Sequence, residues 1–167
     1  HLPPMVIGNL SDHQQRWEIH MAKVFDPHMH SAEHILNQTM VRMYDCGRCV
    51  TAHIDKRKSK CDYHLDHALT DTEISDIQSR VNQVIDSDLP VTESFVSKDS
   101  VDKLYNTEKL PRDVDGTLRI INIGDYDACP CIGPHVNATA EIGAFRITTT
   151  SYDDGVLRVR YKLSKPG

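Results

Sequence analysis

In the stretch HMHSAEHILNQTMVRMY (residues 28–44), Met29, Ala32, Ile35, Leu36, Met40 and Met43 recur at three- and four-residue steps. That period predicts an amphipathic helix with one apolar face turned to a core. The segment Asp45–Gly47, with its glycine, is a fitting stop. His30 and His34 stand four apart on this helix, so their rings lie one above the other on one face and can share a metal ion. Two histidines at this spacing are ordinarily core or surface residues, so the pair carries weight only with partners elsewhere.

Outward from this helix the pattern changes. CVTAHI (49–54) and SKCDYHL (59–65) read as strands flanking the basic run DKRKSK, a hairpin whose tip carries Lys56, Arg57, Lys58 and Lys60. Thr70 and Glu73 form a capping-box pattern ahead of the apolar stripe Ile74, Ile77, Val81, Val84 and Ile85, which predicts a second helix ended by Pro90. VTESFVSK (91–98), LRIINIG (118–124), AFRITTT (144–150) and VLRVRYKL (156–163) read as strands, with Asp154-Gly155 marking a hairpin turn between the last two. Residues 99–117 read as a polar connection with room for a short helix. Helices separated by hairpin-linked strands imply an α+β fold with a mostly antiparallel sheet packed with helices. Residues 1–27, with the lone Trp17, are an N-terminal extension of uncertain structure, and 28–167 a single domain.

Of 167 residues, 39% are hydrophobic and 26% charged, the profile of a soluble globular chain able to bury a core. No apolar run approaches the ~20 residues that cross a bilayer, and no secretory signal is present, so a cytoplasmic location without membrane contact is expected. The net charge of −5 gives no overall attraction for nucleic acid, so any RNA contact must come from a local patch. DKRKSK is the one dense patch, and an isolated charge run is ordinarily a solvated loop. Five cysteines, an odd number, together with ten histidines, argue for thiols available to a metal rather than a disulfide scaffold.

The partners for His30 and His34 come from Cys131-Ile132-Gly133-Pro134-His135, a Gly/Pro turn after a strand. A thiolate and an imidazole four residues apart in a turn can also share a metal. The resulting Cys/His₃ set suits one tetrahedral zinc per chain and disfavours oxygen-seeking magnesium or calcium. Zinc can polarise a carbonyl and lower the pKa of bound water to ~7, both useful for attack on an ester. Four permanent ligands would close the coordination shell, the usual structural pattern.

HSAEHIL (30–36) resembles the His-x-x-x-His helix of the alanyl-tRNA synthetase editing domain and of its free-standing relatives, the AlaX proteins. CPCIGPHVNATAEIGAFRI (129–147) resembles that family's second block, typically Cys-Gly-Gly-Thr-His followed by a Glu-Ile-Gly-x-Phe stretch. SKCDYH (59–64), LPVTESFV (89–96) and GVLRVRY (155–161) fit in order, so the resemblance runs from about residue 28 to the end. It implies the editing-domain fold shared by alanyl- and threonyl-tRNA synthetases. It implies an aminoacyl-tRNA deacylase that removes serine, or else glycine, from mischarged tRNA(Ala), with the acceptor end of that tRNA as partner. It also implies His30, His34, Cys131 and His135 as zinc ligands through which catalysis runs.

Three substrate contacts, Thr51, His53 and Gly133, are assigned from the same register, with Thr51 the candidate for the serine hydroxyl. Read this way, Lys56, Arg57, Lys58 and Lys60 meet tRNA phosphates. Two departures from the family bear on amino-acid preference. Gly133-Pro134 replaces Gly-Thr, removing a hydroxyl near the ester, and Ile132 adds bulk where the family has glycine.

Two other readings compete. His30-Ser31-Ala32-Glu33-His34 satisfies the His-x-x-Glu-His pattern of a zinc peptidase in which Glu33 is the general base, although a solvated helix residue is the favoured reading of Glu33. Cys46-x-x-Cys49 with Cys61-x-x-His64 has the spacing of a structural zinc knuckle in a non-catalytic RNA-binding module. Against it, Cys61 and His64 differ by three along a strand and so point to opposite faces. Cys129 is read as a turn thiol beside the ligand Cys131, Asp125 and Asp127 as acids able to orient a ligand imidazole, and His53, His64 and His67 as histidines outside the ligand set.

Overall fold

The computed structural model describes residues 26–97 and 117–165. The N-terminal extension with Trp17 and the connection placed at 99–117 lie outside the described residues, except for their last positions.

Helix α1 spans Pro27–Tyr44, where the apolar period places it. Asp26 caps it by accepting from the backbone N–H groups of His28 and Met29 at 3.0 Å, and Pro27 sits where a missing N–H costs nothing. Asp45 ends it in the left-handed conformation, φ 52°, its N–H returned to the Val41 carbonyl. Strands β1 (Thr51–His53) and β2 (Ser59–His64) form the expected hairpin, with β1 shorter than the apolar run suggested. Helix α2 (Asp71–Asp86) starts at Thr70 with both hydrogen bonds of the capping box formed. Strands β3 (Val91–Ser97), β4 (Thr117–Ile123), β5 (Asp127–Pro130), β6 (Ala144–Asp153) and β7 (Val156–Ser164) complete the order. A 3₁₀ turn at Thr139–Ile142 precedes β6.

All strand pairs are antiparallel and fall into two sheets, β1-β2-β7-β6 and β3-β4-β5, so the fold is α+β as expected. The inner face of the larger sheet packs Cys61, Tyr63, Leu157, Val159 and Tyr161 into the core with Ala32, Leu36 and Met40 of α1. Two buried hydroxyls fix α1 to that face: Tyr63 donates to Asn37 Oδ1 at 2.7 Å and Tyr161 to the Met29 carbonyl at 3.0 Å. The edge strand β6 is not left open. Asn82 of α2 donates to the Phe145 carbonyl and accepts from its N–H, and Gln78 accepts from Ile147 N–H. Helix side chains thereby satisfy an edge that would otherwise invite pairing.

Strand β5 is absent from the sequence reading, and it carries the ligand loop. DACP is short and holds an aspartate and a proline, residues that strands disfavour. It forms because the chain reverses at residues 124–126 and lays it beside β4, with Ile121 opposite Cys129. Gly124 turns that corner with φ 47°, and a Cβ there would meet Leu89 at 3.1 Å, so the position is suited to glycine both conformationally and sterically. At the other hairpin Asp154 and Gly155 take φ 47° and 80°, the paired positive values of a tight β-turn.

Candidate metal centre

Helix α1 turns His30 and His34 towards the loop that leaves β5, and the loop brings Cys131 and His135 to meet them. One ligand atom from each of the four lies within 4.8 Å of the others. The three histidines are nearly inaccessible, while Cys131, Ile132 and Glu33 are half-buried and mark the open side.

Each imidazole Nδ1 faces a different group, and two of the three are hydrogen-bonded to it. His30 Nδ1 lies 3.0 Å from the Pro134 carbonyl, which can only accept, so Nδ1 carries a proton and Nε2 is the nitrogen that faces Cys131. His135 Nδ1 lies 3.0 Å from Ser31 Oγ, which also accepts from Val136 N–H. His34 Nδ1 stands 3.6 Å from Asp127 Oδ2, an ion-pair distance rather than a hydrogen bond. Asp127 is itself anchored by Arg48 at 2.7 and 3.2 Å and by Gln38 at 3.0 Å. The result is a set of Nε2 atoms aimed at one point, with Nδ1 partners of the kind that orient metal-bound histidines.

The donor set fits a metal. Cys131 Sγ and His30 Nε2 are 3.4 Å apart, close to the ~3.5 Å edge that Zn–N of ~2.0 Å and Zn–S of ~2.3 Å give in a tetrahedron. His135 Nε2 is buried with no hydrogen-bond partner among the described residues, a costly state that a bound cation relieves. Burial raises the Cys131 thiol, yet the positive fields of His30 and His34 outweigh it and hold its pKa well below the usual range, favouring the thiolate a metal needs. Burial also opposes charging His34, but Cys131 and Asp127 prevail and its pKa stands well above 6.5. For His135 burial acts first and the neighbouring histidines reinforce it, so this ring is held neutral. Burial likewise opposes ionisation of Asp127, but His34 and Arg48 outweigh it and keep the carboxyl well below the usual range.

The ligand loop is braced from behind by Arg119 of β4. Its Nη1 donates to the carbonyls of Cys131 and Gly133 at 3.2 and 2.9 Å, and its Nε to Glu93 at 2.7 Å. Nothing in the spacing of the sequence singles out Arg119 or Arg48. Ser31 lies inside the quoted motif, but its bond to His135 is visible only in three dimensions.

Glu33 departs from the expectation of a solvated residue. Its side chain is 12% exposed, and Oε2 lies 3.7 Å from His30 Nε2 and 3.8 Å from His34 Nε2. Asn37 donates to Oε1 at 3.2 Å and the Cys49 thiol at 3.4 Å, so the carboxylate is held at the rim of the centre. Helix geometry explains this: position 33 is flanked by two ligands on the same turn.

The other sequence candidates are placed as follows. Asp127 borders the centre while Asp125 is exposed. Cys129 lies on β5 and its thiol donates to the Pro130 carbonyl, outside the cluster. Cys46, Cys49, Cys61 and His64 make no metal-sized group among the described residues. Cys61 is buried and His64 exposed, so the knuckle fails for the facing reason given by strand geometry. Thr51 is exposed on β1 and its hydroxyl donates to Asp62 Oδ2 at 2.8 Å. Gly133 is buried within the ligand loop. His67 bridges Asp66 and Glu73 on the surface. His53 lines a cavity of about 410 Å³ together with Arg57, Lys58 and Lys60, while Lys56 is exposed outside it.

With this geometry in hand, kinship is informative. Residues 118–160 match the family described as the Threonyl and Alanyl tRNA synthetase second additional domain, a span that includes Cys131 and His135. A threonine–tRNA ligase of Dehalococcoides mccartyi is 32% identical over 124 residues, covering 71% of this chain and 21% of the ligase. A protein of Saccharomyces cerevisiae named for alanyl-tRNA editing, alaX, is 32% identical over 134 residues, covering 71% of this chain and 29% of its own length. An alanine–tRNA ligase of Treponema denticola is 25% identical over 155 residues, 92% of this chain and 24% of the ligase. The chain thus spans less than a third of these relatives. Residues 118–160 thus resemble the second additional domain of the threonyl and alanyl synthetases, and over 71% of its length the chain is similar both to a threonine–tRNA ligase and to an alanyl-tRNA editing protein.

Proposed function

We propose that the chain is a zinc-dependent deacylase that hydrolyses the ester of mischarged tRNA(Ala) in trans, Ser-tRNA(Ala) first and Gly-tRNA(Ala) second. One observation carries the reading: three imidazoles, two of them hydrogen-bonded at Nδ1 and the third facing Asp127 there, converge with a cysteine sulfur on a single point beside a partly exposed rim. His30, His34, Cys131 and His135 would hold the zinc, which supplies polarisation of the ester carbonyl or of a water. Glu33, fixed at the rim by Asn37 and Cys49, is placed to take the proton of the attacking water. The ester then loses its ribose oxygen, which leaves protonated, and the amino acid is released as the free acid.

Gly133 is assigned to the substrate from the ligand loop, where it is buried and its carbonyl accepts from Arg119. Thr51 and His53 are assigned to the substrate from β1, where a serine hydroxyl reaching Thr51 competes with Asp62. Lys56, Arg57, Lys58 and Lys60 are assigned to acceptor-end phosphates. A cytoplasmic setting suits this substrate, and no helix among the described residues is long and apolar enough to cross a membrane. The His-x-x-Glu-His peptidase reading gains Glu33 at the centre but does not account for Cys131 and His135 as further donors.

The test is a deacylation panel: purified protein with Ser-, Gly- and Ala-tRNA(Ala), each with and without a zinc chelator. Hydrolysis of Ser-tRNA(Ala) that stops on chelation and returns with zinc is expected. No hydrolysis of any of the three, with zinc bound, would end the proposal.

A further inference from the structure

The outward face of the larger sheet carries a concentration of positive charge that the metal centre does not use. Along β7, Leu157, Val159 and Tyr161 are buried, so the alternating Arg158, Arg160 and Lys162 point away from α1. Cross-strand neighbours share a face, and here two of the pairs are alike in charge: Lys60 opposite Arg160, and Arg146 opposite Lys162. Like charges directly opposite one another destabilise a sheet. Arg158 has a counter-charge, donating twice to Asp62. Among the described residues, no carboxylate lies within ion-pairing distance of Lys60, Arg146, Arg160 or Lys162. A chain of net charge −5 thus shows, among its described residues, a cationic row on one face, with Asp62 paired to Arg158 and within the field of Lys60.

That row deepens into the cavity of about 410 Å³, where Arg160 and Lys162 meet Arg57, Lys58 and Lys60 of the β1–β2 hairpin. The hairpin is braced: Ser59 Oγ accepts from Asp55 N–H at 3.0 Å and donates to the Asp55 carbonyl at 3.1 Å. Asp55 is the single acid of the lining, and its carboxylate is occupied by Arg57 N–H at 2.9 Å. The cavity's volume falls in the range of ligand clefts, and five cationic residues border it, their carbon stems forming much of the wall.

Strand β1 joins this cavity to the metal centre. Two residues before its start the Cys49 thiol touches Glu33, and at its far end His53 lines the cavity. The four residue steps from Cys49 to His53 can reach at most about 13 Å. We propose that the cavity seats backbone phosphates of the RNA, with Arg160, Lys162 and Arg146 extending the hairpin's contact, and that the single-stranded 3′ end runs along β1 to the ester. This rests on the tRNA substrate proposed above. It moves His53 from the amino acid to the phosphates and makes β7 half of the RNA surface.

The test uses Arg160→Gln with Lys162→Gln, which keeps much of each stem and removes two charges remote from the zinc ligands. Deacylated tRNA is titrated onto both proteins across a salt series, so that binding is read without chemistry. Melting temperature and metal content verify that the variant folds. Two lost phosphate contacts should lower the slope of log K against log[salt] by about 1.5 and weaken binding about 20-fold at 0.15 M salt. An unchanged slope and affinity in the folded variant would overturn the surface, whether or not the ester is cleaved. Absence of tRNA binding by the unaltered protein would overturn it as well. Binding with the expected loss, but no hydrolysis of any aminoacyl ester, would leave the surface standing and remove the proposed activity instead.

Discussion

Replacing Asp127 by asparagine tests whether the metal centre depends on its supporting charges. Asp127 has a fully buried side chain, faces His34 Nδ1 at 3.6 Å and is gripped by Arg48 through two bonds. The amide keeps the volume but loses the charge and presents N–H groups to a guanidinium that also only donates. A buried pair broken at one partner costs ~3–5 kcal/mol, but Arg48 is 30% exposed and recovers part of its hydration, so about 2 kcal/mol is expected. For the metal, loss of a carboxylate behind a ligand histidine costs 10- to 100-fold in affinity, about 1.4–2.7 kcal/mol.

Chelator competition measures the second quantity and urea unfolding of the metal-free protein the first. The carboxyl's folded pKa lies below its unfolded value, so its contribution to stability is complete above the unfolded pKa of ~3.9 and is lost as pH falls through the folded one. The variant should lack that acid-range decline. A folded variant that bound metal within twofold of the unaltered protein would refute the reasoning, leaving Asp127 a structural acid.

Arg119→Met should lower metal affinity at least tenfold and stability by about 2–4 kcal/mol, because the Cys131 and Gly133 carbonyls lose their donor; chelator competition and urea melts read both. Glu33→Gln should leave metal content unchanged while kcat for deacylation falls about 100-fold or more, and an unchanged kcat would reduce Glu33 to a packing residue. Thr70→Ala removes the acceptor for Glu73 N–H and should cost about 1 kcal/mol in unfolding with no change in metal affinity.

Much of the architecture is local and was therefore readable. Helix α1 follows from apolar period and α2 from period plus the Thr70–Glu73 box, and the Asp154-Gly155 corner from the positive φ that hairpins require. The ligand types and their four-residue spacings are local as well, which is why two pairs could be named from the chain.

Tertiary structure decided what spacing does not encode. Strand β5 exists only because Gly124 folds DACP against β4, and that strand carries both Asp127 and the approach to Cys131. Arg119, Arg48 and the Pro134 carbonyl act across 12 to 104 residues of sequence, with no periodic pattern that links the partners. Glu33 looked solvated in isolation, because its surroundings are supplied by Cys49 and the helix face it shares with the ligands. The sequence by itself determined which residues could bind a metal and which segments would be helix or hairpin. Only packing could determine which nitrogen of each histidine is held, which acid stands behind it, and that the cations of β7 join those of the hairpin on one face.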